Sequence, residues 1–178
     1  KIDDNDMSRD FGKTDDPRFI AGLNLGGSWK GLSLALQFTG AWDVTRSISG
    51  AFMQPFYNAA GDGQGGLLKT HLEDSWSVDN PNATYPRPTL AYTKHTYASS
   101  TLWEKDASYF RCKSAQIAYD FDMPWMKKIG LKTLQVSLSA YNLFTVSKYK
   151  WGDPENRASS SPSYPLTRTF TAGVKVGF

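Results

Sequence analysis

Arg168-Thr-Phe-Thr-Ala-Gly-Val-Lys-Val-Gly-Phe178 alternates without a break. Phe170, Ala172, Val174, Val176 and Phe178 share one parity, and Thr169, Thr171, Gly173, Lys175 and Gly177 the other. Successive side chains of a strand point to opposite faces, so this stretch is a strand with one apolar and one polar face. Two environments accept it. In a soluble sandwich the apolar face packs on a second sheet. In a membrane barrel it meets lipid, the polar face meets the lumen, and aromatics mark the two interfaces. An apolar strand that ends on an unprotected Phe suits the barrel, but this segment by itself leaves both readings open.

The same pattern recurs upstream. Phe19, Ala21, Leu23, Leu25, Gly27 and Trp29 fall on one face, opposite Ile20, Gly22, Asn24, Gly26 and Ser28. A tight turn follows at Trp29-Lys-Gly31. Leu32, Leu34, Leu36, Phe38, Gly40 and Trp42 then oppose Ser33, Ala35, Gln37, Thr39, Ala41 and Asp43. This is a hairpin of two strands, each about 11 residues long, the length that crosses a bilayer at barrel tilt. Phe19 and Trp42 end the apolar faces at one level and Trp29 at the other, as two aromatic girdles would. A sandwich has no reason to sort aromatics by height.

Further along, Ala115, Ile117, Tyr119 and Phe121 oppose Ser114, Gln116, Ala118, Asp120 and Asp122. Met123-Pro-Trp-Met-Lys-Lys-Ile-Gly130 is a short connection of about one helical turn, with Trp125 at the interface. Leu134, Val136, Leu138, Ala140 and Phe144 then oppose Gln135, Ser137, Ser139 and Tyr141, and Pro165 opens the last strand. The expected strands are 17–29, 31–44, 109–122, 132–144 and 165–178, with long polar loops at 1–16, 45–108 and 145–164. Short helical pieces are expected near 49–59 and 67–76. A connection of ~60 residues is too long for the inside of a compact domain. It is ordinary for an outward loop of a barrel, which has short periplasmic turns on one side and long extracellular loops on the other. The fold class is therefore all-β: an antiparallel transmembrane β-barrel segment of about five long strands.

Composition agrees with a β-rich chain: aromatics are 14% and glycine contributes 15 of 178 residues. A net charge of +3, without a Lys/Arg run interleaved with aromatics, argues against nucleic acid as a partner. The single cysteine, Cys112, cannot form an intrachain disulfide and reads as a small strand residue. No apolar run approaches the ~20 residues of a membrane helix, which excludes helical spans only. The chain carries no signal peptide and begins at Lys1, so a processed product or a piece of something longer is expected.

No catalytic chemistry is expected. The carboxylate pairs Asp120/Asp122, Asp153/Glu155 and Glu73/Asp74 are sequence neighbours, whereas glycoside hydrolysis needs facing carboxyls about 5–10 Å apart. Asp3, Asp4, Asp6, Asp10, Asp15 and Asp16 lack the spacing of a calcium loop and read as solvated loop. His71 and His95 lack ligand partners at zinc spacing. The glycine run at 61–66 lacks the context of a phosphate loop. Neither a metal nor a cofactor is assigned. Gln37 and Lys175 would face the lumen, where a lone Lys reads as solvated or salt-bridged. The long loop carries Phe52, Phe56, Tyr57, Trp76, Tyr85, Tyr92, Tyr97 and Trp103. Such rings stack on sugars or anchor protein partners, but each can equally pack the loop onto itself. Trp76, Tyr85, Arg87, Tyr97 and Trp103 are the candidate substrate or partner contacts.

An ordered set of motifs resembles one family. Tyr109-Phe-Arg-Cys-Lys-Ser-Ala-Gln-Ile-Ala-Tyr119, Leu134-Gln-Val-Ser-Leu-Ser-Ala-Tyr-Asn-Leu-Phe-Thr145, Asp153-Pro-Glu155, Tyr164-Pro165 and the terminal strand look like the end of a SusC/RagA-type TonB-linked outer-membrane receptor. Trp76-Ser-Val-Asp-Asn-Pro-Asn-Ala-Thr-Tyr-Pro-Arg87 resembles it too, while Cys112 stands where the family usually has an aliphatic residue. The resemblance implies a 22-stranded barrel with an N-terminal plug, in a bacterial outer membrane of the Bacteroidetes type. It implies energy from the TonB complex through that plug, a SusD-like surface lipoprotein as partner, and import of oligosaccharides or peptides. Plug and TonB box are not in this chain, and five strands cannot close a barrel, so a C-terminal segment is expected. The tail with Phe170, Val174, Val176 and Phe178 resembles the signal read by the barrel-assembly machinery. The other reading is a soluble secreted β-sandwich that binds carbohydrate. It requires a monomer soluble without detergent, whereas the barrel segment would aggregate.

Overall fold

The computed structural model describes residues 14–57, 65–89, 96–157 and 164–178. The chain forms two compact units. A sheet unit comprises Pro17–Trp42, Ser108–Lys148 and Pro165–Phe178, and a loop unit comprises Lys1–Asp16, Asp43–Ala107 and Tyr149–Tyr164. In chain order the elements are β1 (Phe19–Trp29), β2 (Leu32–Trp42), β3 (Thr45–Ser47), a 3-10 turn (Gly50–Phe52), α1 (Lys69–Glu73), β4 (Glu104–Asp106), β5 (Tyr109–Phe121), α2 (Pro124–Lys128), β6 (Thr133–Ser147) and β7 (Thr169–Gly177).

The sheet is an antiparallel meander in the order β1-β2-β5-β6-β7. Each new strand pairs with the one before it, so the connections fall alternately at opposite ends. The β1–β2 turn and the α2 connection lie at one end, and the two long segments leave from the other. The sheet is open: β1 and β7 are its edges.

Register explains why these sequences fit together. Residues paired across antiparallel strands share a face. Trp29, Leu32, Tyr119, Val136 and Val174 form one transverse row. Gly27, Leu34, Ile117, Leu138 and Ala172 form the next, followed by Leu25, Leu36, Ala115, Ala140 and Phe170. Leu23, Phe38, Cys112 and Phe144 continue the series, and Phe19 pairs with Trp42 at the far end. Every row on this face is apolar. A slip of one residue in any pair would mix the two faces.

One row required a correction of parity. On β5 the apolar residues are odd-numbered from Ala115 to Phe121, but Phe110 and Cys112 are even. The register shifts between Cys112 and Ser114, leaving Lys113 without a partner in either ladder. This bulge returns Cys112 and Phe110 to the apolar face, where the Phe110 ring stacks on Phe38 at 5.4 Å. Cys112 is buried.

Each long strand differs at one or both ends from its sequence-based boundary, and two differ by three residues or more. β6 continues to Ser147, three residues past the expected 144, because its ladder with β5 resumes after Asn142, whose φ is 53°. β7 starts at Thr169, opposite Tyr141, not at 165. Pro165 lacks the N–H that a ladder position needs. The helical pieces are also shorter, reduced to Gly50–Phe52 and Lys69–Glu73.

The sheet has no core of its own. Leu138 is 52% exposed, Phe170 64% and Val174 68%. Covering one such side chain is worth about 1.5–3 kcal/mol, so this face remains incomplete until something apolar covers it.

The hairpin turn is tightly constrained. Lys30 (φ 48°) and Gly31 (φ 86°) both lie in the left-handed region, as a two-residue turn matched to strand twist demands. A Cβ on Gly31 would come within 2.6 Å of the Asp120 carbonyl oxygen. The Gly31 carbonyl in turn accepts from the Asp120 N–H at 2.8 Å. Gly31→Ala is expected to lower the urea midpoint of the folded protein, with ~1–2 kcal/mol lost to the left-handed backbone alone. Lys30→Asn should leave it unchanged or raise it. An unaltered midpoint in Gly31→Ala would contradict this account of the turn.

Candidate functional site

Two surfaces can meet a ligand or partner: the polar face of the sheet and the exterior of the loop unit. On the polar face, Asp120, Gln135 and Lys175 form a row near the short turns. Gln135 Nε2 donates to Asp120 Oδ1 at 2.8 Å. The middle rows carry no charge: Asn24, Gln37, Ser114, Tyr141 and Thr169, then Gly26, Ala35, Gln116, Ser139 and Thr171. Asn24, Gln37, Ser114, Gln116, Ser139 and Tyr141 line a shallow concavity there. The Ser114 hydroxyl donates to Gln37 Oε1 at 3.4 Å. Towards the other end Arg111 is buried; its Nε donates to Thr145 Oγ1 at 2.9 Å and its guanidinium lies 5.3 Å from the Tyr109 ring centre. This face therefore offers neutral donors and acceptors at mid-height and charge only near its ends.

The loop unit is organised by aromatics. Ile48, Tyr85, Tyr97 and Trp103 form its core, with Phe52, Met53, Tyr149 and Trp151 packed against it. Trp103 Nε1 donates to the Thr96 carbonyl at 3.0 Å, and its own carbonyl accepts from the Ile48 N–H at 2.9 Å. Tyr97 stacks on Trp103 at 6.0 Å. Trp151, from the second long connection, donates its indole N–H to the Tyr85 hydroxyl. Arg46, on β3, donates to the carbonyls of Thr45, Asp15 and Asn156. The short β3–β4 ladder and these ties join the long connections into one packed body.

The five candidate contacts separate by burial. Tyr85, Tyr97 and Trp103 are only 3%, 4% and 1% exposed. They are the interior of the loop unit, not surfaces for a sugar or a partner, because each ring is needed to fill a core that lacks any regular layer of its own. Trp76 and Arg87 remain exposed. Trp76 is pinned through its backbone, its N–H donating to the Tyr85 carbonyl at 2.8 Å, while its ring stays open. Leu72 and Val78 on the same segment are also exposed. Sequence reading missed those two because an isolated Leu or Val gives no signal of exposure. Tyr92 and His95 lie outside the described residues.

Charges inside the loop unit are paired by geometry. Asp74 Oδ1 accepts from the Thr84 N–H at 3.1 Å. The hydrogen bond from Thr84, followed by the nearby Lys150 and Lys105 charges, holds its carboxyl below the usual range. Burial lowers the Lys105 ammonium, which lies 5.4 Å from the Trp151 ring centre, and Asp74 opposes that shift. Burial raises the Tyr149 phenol. His71 is wholly buried, edge-on to Tyr85 at 4.7 Å, and its Nε2 lies 3.1 Å from the Phe52 carbonyl. That contact makes Nε2 the protonated nitrogen. Nδ1 has no partner among the described residues, and burial holds the ring below its ordinary 6.5.

A group whose folded pKa is depressed in this way favours folding at high pH and opposes it as pH falls. Protection of loop-unit amides against hydrogen exchange is therefore expected to decline as pH drops below 6.5. His71→Phe should flatten that dependence, and equal pH slopes in both proteins would contradict the role of the imidazole. Trp103→Ala is expected to cost about 3–5 kcal/mol of loop-unit stability at any pH, read by limited proteolysis.

Among the described residues no group of three or more His, Cys, Asp or Glu could hold a metal ion. No helix among them is long and apolar enough to cross a membrane. No protein-family model matches the chain. It is 28% identical over 176 residues to TonB-dependent receptor P3 of Formosa agariphila, covering 91% of this chain and 16% of that protein. It is 30% identical over 119 residues to TonB-dependent receptor P26 of the same organism, covering 60% of this chain and 12% of that one. The chain thus spans less than a fifth of the length of either curated relative. Among solved structures, the RagAB peptide importer in its open-open state superposes with a TM-score of 0.71 at 26% identity, covering 97% of this chain and 19% of that chain. Its closed-closed state gives 0.67 at 25% identity, covering 100% and 20%. In sequence and in fold the chain is similar to a segment of the β-barrel of SusC/RagA-type TonB-dependent receptors.

Proposed function

We propose that this chain is the C-terminal wall segment of an outer-membrane nutrient importer driven through TonB. The observation that carries the reading is the continuous apolar face running across all five strands, with most of its large side chains exposed, Phe19 and Trp42 at one end and Trp29 at the other. Lipid covers such a face in an outer-membrane barrel, and no second layer of protein is required. The polar face then lines the lumen. Its uncharged middle suits passage of, or packing against, hydrogen-bonding groups such as amides and hydroxyls. The short turns face the periplasm and the long connections the exterior.

Substrate and partners follow from the relatives. The similar RagAB protein is a peptide importer, which favours peptides; oligosaccharides are the second class. A SusD-like lipoprotein would close over the outer side, where exposed Trp76 and Arg87 are the contacts we assign. A plug elsewhere in the full receptor would couple to the TonB complex. Phe170, Val174, Val176 and Phe178 serve as the signal for the barrel-assembly machinery.

Adjacent residues on β6 test the facing. Leu138→Arg is expected to cost about 2–4 kcal/mol near the bilayer midplane and to reduce heat-modifiable barrel in outer membranes, while Ser139→Arg keeps it. Phe170→Ser combined with Phe178→Ser should lower insertion without altering ligand residues. A chain that is monomeric and soluble without detergent would instead establish the carbohydrate-binding sandwich.

A further inference from the structure

The short-turn end of the sheet unit carries a group of residues that a lipid-facing wall does not by itself require. Trp29 ends the apolar face and is 70% exposed. Lys30, next to it in the turn, places its Nζ 4.9 Å from the Trp29 ring centre. The ammonium is thereby held over the rim of the apolar face, not over the polar one. The α2 connection repeats the combination at the same end. Met126 and Leu131 are buried and anchor it, and the Leu131 N–H donates to the Met126 carbonyl at 2.9 Å. Gly130, at φ 77°, ends the helical turn. Trp125 and Ile129, four residues apart and on one side of the turn, are 46% and 63% exposed, and Lys128 shares that side. Lys127 and Lys132 are exposed beside them.

None of Lys30, Lys127, Lys128 and Lys132 forms an ion pair among the described residues. The acids at this end are Asp120, which accepts from Gln135 on the polar face, and Asp122. A folded soluble surface has little use for two exposed indoles and an exposed Ile surrounded by uncompensated lysines. A membrane interface does: indoles settle at headgroup level, and lysines beside them attract anionic headgroups. We propose that this rim is a binding surface for anionic phospholipid headgroups of the periplasmic leaflet. Trp29, Trp125 and Ile129 seat in the acyl boundary, and Lys30, Lys127, Lys128 and Lys132 hold the phosphates. The inference rests on the reading that the short turns face the periplasm.

The test uses the full-length receptor in a neutral detergent, folded as judged by heat-modifiability, with bound lipid read by native mass spectrometry. Phosphatidylglycerol is expected to be retained over phosphatidylcholine. Lys30→Gln, Lys127→Gln, Lys128→Gln and Lys132→Gln should each weaken that retention about fivefold, corresponding to ~1 kcal/mol per lysine at a membrane surface. Trp125→Ala should reduce both lipids together. Equal retention of the two lipids, or a quadruple variant that keeps its phosphatidylglycerol, overturns the proposal while a folded barrel leaves the barrel reading intact. Preferential retention of lipid A over phosphatidylglycerol also overturns it, because the lysines would then face the outer leaflet. Failure of the unmodified receptor to fold as a heat-modifiable barrel would instead sink the barrel reading itself.

Discussion

The backbone ladder is the constraint on which the rest of the sheet depends. Hydrocarbon supplies no hydrogen-bond partner, so strands that cross it must satisfy each other's N–H and C=O groups. The meander does this for β2, β5 and β6 on both sides, and leaves only the outer edges of β1 and β7 open. Once the ladder is set, register follows, and register decides which side chains share a face. The unbroken apolar rows from Trp29 to Val174 and from Leu25 to Phe170 are consequences of that single alignment. The bulge at Lys113 preserves them where the sequence of β5 would otherwise change faces.

The loop unit solves a different problem. Its described residues hold little regular secondary structure, so ladders contribute little to holding them together. Large rings do so instead. Trp103 and Tyr85 are almost fully enclosed, and both donate or accept hydrogen bonds that fix neighbouring loop segments. Trp151 brings in the second long connection, and Arg46 crosslinks three stretches through their carbonyls. A packed body of this kind presents Trp76 from a backbone pinned to Tyr85.

Much of the sheet was legible in the sequence. The alternation of β1, β2 and β7 is unbroken, and period-2 patterning survives without knowledge of neighbours. The far end of β6 was not legible, because Tyr141 and Asn142 interrupt the apolar series where the chain adopts a positive φ and then resumes pairing. The start of β7 was misplaced because Pro165 marks the approach to a strand, not its first ladder position. In the loop unit the aromatics were visible, but their burial was not. Tyr85 and Trp76 are alike in sequence, both large aromatics preceded by a hydroxyl residue, yet one is enclosed and the other open.

The sequence by itself determined the two-faced strands, the short-and-long order of their connections and the apolar character of one side, since each depends only on local order along the chain. The tertiary structure decided the bulge at Lys113, the row in which Cys112 sits, and which loop aromatics form a core. Those depend on contacts between residues far apart in sequence, such as Trp151 with Tyr85, that no local pattern encodes.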